Sequence, residues 1–318
     1  MKIVAALRRG RNEISELLPQ MLEQPSPERP PSVEDHTHYQ VQSIADGPHF
    51  PKLLASCPIP PPATPAQQSI RQAPIRLSAT TPLLPFDDTN VIAAEQYRMI
   101  RTRLVQHPAK PRMVLVSSAG PGDGKSVTAV NIAGALSLKS EGNVVLMDAD
   151  FRRSTIHAQM GLPLSPGMTE VLSGAASLED ALIRTTQFPN LYVITAGTPA
   201  PNPSELLAST TWRSACEMLR NRFQHVIVDS PPVASVADYD LLQAACDGVV
   251  LVLRPDHTCR STCLKILDTM PKEKLLGVIL NCVPQWFLNR RDQYGSYYSY
   301  YGGHTGNPKP NARPADEK

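Results

Sequence analysis

The sequence of 318 residues predicts an α/β fold, in which a mostly parallel sheet has helices on both faces. The first observation is a series of short, almost continuously apolar runs, which are typical of strands buried on both faces. The second is that segments with helical periodicity separate these runs, as in sheets built from strand–helix–strand units. The runs comprise residues 113–116, 143–147, 191–197, 224–228, 248–253 and 276–281.

A third observation indicates which kind of α/β fold this is. The first apolar run leads into a loop with three glycines in five residues, which is followed by Lys125, Ser126 and a helical segment. Glycines let backbone N–H groups approach phosphate oxygens, the lysine supplies a charge for the outer phosphates, and the hydroxyl can bind Mg²⁺. Ala119 stands where the pattern G-x-x-x-x-G-K-[ST] has its first glycine. The sequence therefore predicts a P-loop NTPase, with these nucleotide-binding residues: Ala119, Gly120, Pro121, Gly122, Asp123, Gly124, Lys125, Ser126 and Val127.

Composition divides the chain into four predicted regions. Residues 1–22 have the apolar spacing of a short amphipathic helix, and fifteen of the 32 prolines fall within the first 90 residues. Because proline fixes φ and lacks a donor, residues 23–87 are predicted to form a disordered linker. The P-loop domain is predicted over residues 88–286, followed by a flexible tail over residues 287–318.

Charge, cysteine content and hydropathy exclude some classes of partner and location. A net charge of +2 gives no indication of nucleic acid as a partner. The six cysteines include no Cys-x-x-Cys pair, as expected of a reduced, cytoplasmic protein. No signal peptide and no run long enough for a membrane span are evident. A connection to the membrane is therefore expected to depend on a partner.

Three aspartates are the predicted partners of the phosphate-binding loop. Asp148 and Asp150 follow the second apolar run, and Asp229 ends the fourth. Carboxylates at the carboxyl ends of parallel strands lie at the edge where ligands bind. Beside a phosphate site, they predict binding of the water shell of Mg²⁺ and acceptance of a proton.

Two further features lie outside the nucleotide site. Glu95, Arg98 and Arg101 follow one another at intervals of three residues, which places them on nearly one face of a predicted helix. That face could be solvated, or it could contact a neighbouring subunit. Five of the nine tyrosines fall within eight residues of the tail, where glycine and serine argue against regular structure. They are Tyr294, Tyr297, Tyr298, Tyr300 and Tyr301.

Taken together, these motifs resemble those of the bacterial tyrosine kinases (BY-kinases) of polysaccharide export, over residues 88–302. The family's S-x-x-P-G-E-G-K-S loop is matched except that Asp123 replaces the glutamate. Its D-x-D-x-R element is matched by Asp148, Asp150 and Arg152, with Ser154 in place of the usual proline. The V-I-I-D-T-P-P element is matched by residues 226–232, and the E-x-x-R-x-x-R helix is matched by Glu95, Arg98 and Arg101.

The resemblance implies Mg²⁺- and ATP-dependent autophosphorylation, in which one subunit's tail enters a neighbour's site. Asp150 and Asp229 are then expected to order the water shell of the metal, and Asp148 to accept the tyrosine proton. Arg152 belongs to the nucleotide site by the same match, and Asn281 is expected to contact the adenine.

The resemblance also implies partners for the kinase. Glu95, Arg98 and Arg101 are expected to build a ring-like homo-oligomer. The expected activator is a separate membrane-anchored polysaccharide co-polymerase, which would recruit this cytoplasmic chain to the inner face of the cell membrane.

Two other functions are compatible with a P-loop. The first is a positioning ATPase of the septum-site or chromosome-partitioning kind, but the additional lysine early in its loop is missing at Ala119 and Gly120. The second is a non-catalytic nucleotide-binding regulator of polysaccharide assembly, which an intact site alone does not exclude.

Overall fold

The computed structural model describes residues 4–6, 70–77, 91–138, 142–233, 238–255 and 257–283. Within these residues nine strands form one sheet. The strands are β1 (Val4–Ala6), β2 (Arg71–Ala73), β3 (Met113–Ser118), β4 (Val144–Asp148), β5 (Ile183–Thr185), β6 (Leu191–Ile194), β7 (His225–Asp229), β8 (Gly248–Leu253) and β9 (Leu275–Leu280). Their order across the sheet is β1-β9-β8-β3-β7-β4-β6-β5-β2.

The centre of the sheet is parallel, and the predicted α/β P-loop fold is confirmed. The six strands from β9 to β6 run in one direction. The reversed strands β1 and β5 pair antiparallel with β9 and β6, and β2 pairs parallel with β5. All six predicted strands are present, with ends that differ from the predicted ones by at most three residues.

Helices cover the two faces of the sheet. They are α1 (Val91–Val105), α2 (Lys125–Ser137), α3 (Ile156–Met160), α4 (Met168–Leu172), α5 (Leu178–Ala181), α6 (Pro203–Ala208), α7 (Thr210–Arg222), α8 (Asp238–Ala245) and α9 (Arg260–Thr269). Among the described residues, none of these helices has the length and apolarity to cross a membrane.

The alternation of side chains along β3 shows how the two layers of core arise. Met113 and Leu115 point into one buried cluster, which includes Trp212 of α7. Val114 and Val116 point into the other, which includes Tyr97 of α1 and the buried residues of α2. Because successive side chains of a strand face opposite sides, one continuously apolar run contributes to both layers.

The predictions for the N-terminal region need two corrections. Residues Val4–Ala6 form strand β1, paired with β9, and not part of a helix. Residues Arg71–Ala73 form strand β2 within the region predicted to be a disordered linker. In both cases the strand adds to an edge of the sheet, where its pairing satisfies backbone groups of the neighbouring strand. Composition does not reveal such a pairing, because it depends on a strand distant in the sequence. The remainder of residues 1–90 lies outside the described residues, apart from residues 70–77.

Contacts beyond the strand ladder hold residues 70–77 against the domain. The backbone N–H of Ile75 donates to Gln187 Oε1 (2.8 Å), and Gln187 Nε2 donates back to the Ile75 carbonyl (3.0 Å). The side chain of Ile75 is buried in the same layer of core as Tyr97. The ordered domain therefore includes a segment well upstream of residue 88, where the sequence predicts it to begin.

Candidate active site

The predicted site residues meet at the carboxyl edge of three adjacent strands. β7 lies between β3 and β4, so Asp229 is in register with both Val116 and Asp148. The phosphate-binding loop leaves β3 at the same edge, and α2 begins at Lys125. The topology thus brings together residues that are up to about one hundred positions apart in the chain, as expected for a sheet of this kind.

The phosphate-binding loop has the backbone geometry that its glycines predict. Gly122 and Gly124 have φ values of 85° and 91°, in the left-handed region that favours glycine. Ala119 is buried in the core, so its methyl group fits where the pattern has a glycine. The N-terminus of α2 presents backbone N–H groups and the positive end of the helix dipole at this loop, an arrangement that favours an anion.

Lys125 faces a cluster of buried carboxylates. Its Nζ lies 3.0 Å from Asp150 Oδ2 and 3.2 Å from Ser126 Oγ. Asp148, Asp150 and Asp229 are each at most 3% exposed. One ammonium group therefore stands against three buried carboxylates, and a surplus of negative charge remains at the site.

Asp229 is the member of this cluster with the fewest contacts. Among the described residues, neither of its carboxylate oxygens has a hydrogen-bond partner of good geometry, although the Ser126 hydroxyl and the Ser230 N–H lie close enough to lower its pKa. Burial raises the pKa of Asp229 to about 6, although the nearby Lys125 ammonium acts in the opposite direction. Unpaired buried oxygens beside the Ser126 hydroxyl fit a hydrated divalent cation, since Mg²⁺ binds oxygen ligands and retains several waters. Ser126, Asp150 and Asp229 are the residues that would hold it.

Asp148 also organises the backbone of the loop that follows β4. Its Oδ1 accepts from the Asp150 N–H, and its Oδ2 accepts from the N–H groups of Thr155 and Ile156, all at 3.1 Å. Burial, together with the charge of Asp229, raises the pKa of Asp148. A raised pKa suits a proton acceptor, but these three hydrogen bonds show that the carboxylate has a structural role as well. Its reaction with tyrosine stays a prediction.

Arg152 joins the loop after β4 to helices α6 and α8. Its guanidinium donates to Asp238 through Nε (2.7 Å) and Nη2 (3.3 Å), and Nη2 also reaches Ser204 Oγ (3.3 Å). The Ser204 hydroxyl in turn donates to Asp238. These contacts give Arg152 a structural role at the rim of the site, and its contact with the nucleotide stays a prediction. No motif in the sequence indicated Ser204 or Asp238.

Two residues predicted to bind the nucleotide use their side chains for hydrogen bonds within the protein. The Asp123 carboxylate is fully buried and contacts Gly120, His257 and Thr258. Asn281 is 1% exposed and uses Nδ2 to hold the Asp123 carbonyl (2.9 Å). In the described structure, Asp123 can therefore offer a nucleotide only its backbone, and the contact of Asn281 with adenine stays a prediction.

Several predicted residues and partners lie outside this cluster. Glu95, Arg98 and Arg101 are on α1, where Arg98 Nη1 pairs with Glu95 Oε2 (3.2 Å) and Arg101 Nη1 donates to the Ala135 carbonyl (3.4 Å). The five tail tyrosines lie outside the described residues. His257 and Thr258 were missed, although their place just after β8, at the ligand edge, is a signal that sequence reasoning could have used.

Comparison with known proteins agrees with this geometry. No family model matches the chain. Tyrosine-protein kinase YwqD of Bacillus subtilis is 36% identical over 208 residues, which cover 64% of this chain and 86% of that protein. The solved BceF tyrosine kinase domain is 36% identical with a TM-score of 0.56, over 64% of this chain and 83% of that one. The solved chimerical protein CapA2B2 is 28% identical with a TM-score of 0.60, over 68% and 94% of the two chains.

The fold and the site define a P-loop NTPase whose phosphate-binding loop faces a cluster of aspartates. Within that class, the chain belongs to the bacterial tyrosine kinase (BY-kinase) family, which acts in capsule and exopolysaccharide synthesis. It is therefore a protein-tyrosine kinase, and ATP is the phosphoryl donor that this family implies. The positioning ATPase considered from the sequence is not supported.

Proposed function

We propose that this chain is a Mg²⁺-dependent autokinase that phosphorylates its C-terminal tyrosines in trans and so regulates exopolysaccharide or capsule synthesis. The observation that carries the proposal is the convergence of Lys125 with three buried carboxylates beside a phosphate-binding loop. The charge surplus at this site suits a dication and a phosphoryl group that is transferred.

Each residue has a distinct part in the proposed reaction. Lys125 leaves its pairing with Asp150 to bind the outer phosphates, and the glycine-rich loop binds phosphate oxygens through its N–H groups. Asp150 and Asp229 would hold a hydrated Mg²⁺, which would supply positive charge to neutralise the phosphates. Asp148 accepts or orients the phenol proton, since a phenol with a pKa near 10 requires a positioned acceptor at neutral pH.

The described residues end just after β9, at the active-site edge of the sheet, which supports the tail tyrosines as acceptors. The described residues end at Val283, two residues after Asn281, whose side chain holds the phosphate-binding loop. Tyr294 follows Val283 by eleven residues, a span that can reach at most about 40 Å. That span lets a tail tyrosine enter the site of an adjacent subunit if the site lies within about 40 Å of Val283.

The outer face of α1 supports such an assembly. Ile92 and Met99 are 43% and 38% exposed, and they flank the exposed ion pair between Glu95 and Arg98. Exposed apolar side chains at helical spacing around charged groups are typical of protein contact surfaces. We assign this face to the ring-like homo-oligomer, in which Arg98 exchanges its internal partner for a carboxylate of the neighbouring subunit.

A second protein completes the proposed system. A solved relative is named as the chimerical protein CapA2B2, which supports association with a CapA-like membrane-anchored activator. Such an activator would recruit this kinase to the cytoplasmic face of the membrane. A non-catalytic role is less well supported, because the lysine and the aspartates that phosphoryl transfer requires are all present.

Mixing two complementary variants tests transfer between subunits. Lys125→Met retains the tail but lacks the phosphate-binding charge, and a second variant carries phenylalanine at all five tail tyrosines. Incubated with Mg²⁺ and ATP, each alone should remain free of phosphotyrosine on the tail, whereas the mixture should label the Lys125→Met chain. Asp229→Asn serves as a second inactive acceptor in case Lys125→Met folds poorly. A mixture without label, beside a labelled wild type, contradicts transfer in trans.

Light scattering tests the assignment of α1. Changing Arg98 and Arg101 to alanine should shift the mass toward that of the monomer. Arg213→Ala, an exposed change on α7 at the opposite face of the sheet, is the matched control and should leave the mass unchanged. An unaltered mass for the double variant contradicts the ring.

A further inference from the structure

The side chain of Asp123 links the phosphate-binding loop to the residues that follow β8, and we call this set of hydrogen bonds the brace. Its Oδ2 accepts from the Gly120 N–H (3.0 Å), and its Oδ1 accepts from the Thr258 hydroxyl (2.9 Å). His257 Nδ1 lies 2.9 Å from the same Oδ1, and because a carboxylate oxygen accepts, Nδ1 is the donor. A fully buried carboxylate requires such donors, because burial without them is costly.

The backbone of the same residue is fixed by the next strand of the sheet. Asn281, just after β9, donates from Nδ2 to the Asp123 carbonyl (2.9 Å). Gly124 follows with φ +91°, and a Cβ there would lie 2.1 Å from Asn281 Nδ2. The turn before Lys125 is therefore tied to the ends of both β8 and β9, two strands that carry no group of the proposed reaction.

His257 is the exposed end of this brace. Its side chain is 48% exposed, whereas Asp123 is completely buried and Thr258 is 8% exposed. The ring lies against Gly122, where an added Cβ would come within 3.3 Å of Cε1. His257 thus contacts the loop through Gly122 and Asp123, and its substitution removes one donor without opening the core.

We propose that His257 is a positioning residue for nucleotide binding, which acts through Asp123 to hold the phosphate-binding loop in its binding conformation. The proposal rests on the proposed function only in that ATP binds this loop. A loop that is already ordered pays less entropy when the phosphates bind, so the brace acts mainly on affinity. It has little effect on the transfer step, because none of its atoms contacts the reacting groups.

Direct binding measurements on the full chain test this proposal. With Mg²⁺ present, His257→Ala should raise the Kd and the KM for ATP about tenfold, the equivalent of one hydrogen bond to a charged group. The kcat should change less than about twofold, because the brace does not contact the reacting groups. His257→Asn, whose amide can donate from nearly the position of Nδ1, should restore most of the affinity.

A double-mutant cycle separates positioning from general stability. Asp123→Ala should weaken ATP binding by itself, and His257→Ala added to it should weaken binding no further, because the brace is already broken. The proposal is overturned if His257→Ala lowers the melting temperature but leaves the Kd unchanged, or if the two effects multiply. It is also overturned if the asparagine variant binds no better than the alanine variant.

The failure of the proposed function has a different signature. A wild type that binds ATP but never labels its tail contradicts the autokinase and leaves the comparison of Kd values intact.

Discussion

Replacing Asp229 by asparagine should stabilise the ligand-free protein while it abolishes the kinase reaction. In the folded chain, the Asp229 carboxylate is fully buried, and among the described residues its oxygens have no hydrogen-bond partner of good geometry, so the nearby Ser126 hydroxyl and Ser230 N–H offset only part of the cost of burial. Burial raises its pKa from 3.8 to about 6. One pKa unit corresponds to about 1.4 kcal/mol, so the charged form costs the fold about 3 kcal/mol at pH 7.5.

The sign of the pH dependence follows from the same shift. Because the folded-state pKa lies above the unfolded one, the protonated carboxyl is favoured in the folded state. The protonated Asp229 carboxyl contributes fully to the free energy of unfolding below pH 4, and this contribution is lost as the pH rises through about 6. The wild type should therefore lose stability relative to Asp229→Asn between pH 4 and pH 7, and the two should differ little below pH 4.

Denaturant unfolding in the presence of a chelator measures this difference. Asp240→Asn, an exposed change on α8, is the control and should alter the free energy of unfolding by less than about 0.5 kcal/mol. Added Mg²⁺ and ATP should stabilise the wild type more than Asp229→Asn, which keeps Lys125 and the loop but lacks one carboxylate for the metal. Tail labelling should fall at least a hundredfold, on the order expected when a preorganised electrostatic group is removed. An asparagine variant that is no more stable at pH 7.5, or a difference that does not shrink toward pH 4, refutes the reasoning.

Three further predictions concern stability. Burial alone would raise the pKa of Glu170, but hydrogen bonds from Thr198 and Gly167 lower it to about 2. Glu170→Gln should therefore lower the free energy of unfolding by about 1–2 kcal/mol above pH 5 in urea titrations. This loss should shrink as the pH drops toward 2, where the wild-type carboxylate becomes protonated. Ile75→Asp places a charge in the core beneath β2 and should speed hydrogen exchange of residues 70–77 at least tenfold. Trp212→Ala removes a fully buried side chain and should cost about 3–5 kcal/mol by calorimetry; an unchanged melting temperature would contradict its place in the core.

Local sequence was sufficient for the centre of the sheet and for the site's principal residues. The apolar runs predicted six strands because strands buried on both faces tolerate few polar residues. Glycines before Lys125 and Ser126 predicted the phosphate-binding loop, and aspartates at strand ends predicted the acidic cluster. These patterns are local, and the parallel order of the strands then brings their ends together.

Local sequence could not assign a role to residues that act through distant contacts, even where their position after a strand marks the ligand edge. His257 follows β8 without any recognised motif, and its meaning depends on Asp123, which lies more than one hundred residues earlier. Asp123 was assigned to the nucleotide because it lies in the motif, and Asn281 because the family resemblance implied it. Neither ground tells which way a side chain points. The edge strands β1 and β2 are three residues long, too short for periodicity to reveal them.

The sequence by itself determined the class of fold, the phosphate-binding loop and the acidic residues that accompany it, because each depends on spacing within one strand, loop or helix. Only the tertiary structure decided which carboxylates lack partners, how Arg152 is held, and that the loop is braced from β8 and β9. Those properties depend on burial and on atoms that the order of strands in the sheet brings together. The two residues of such a contact lie far apart in the sequence, so no local pattern reveals it.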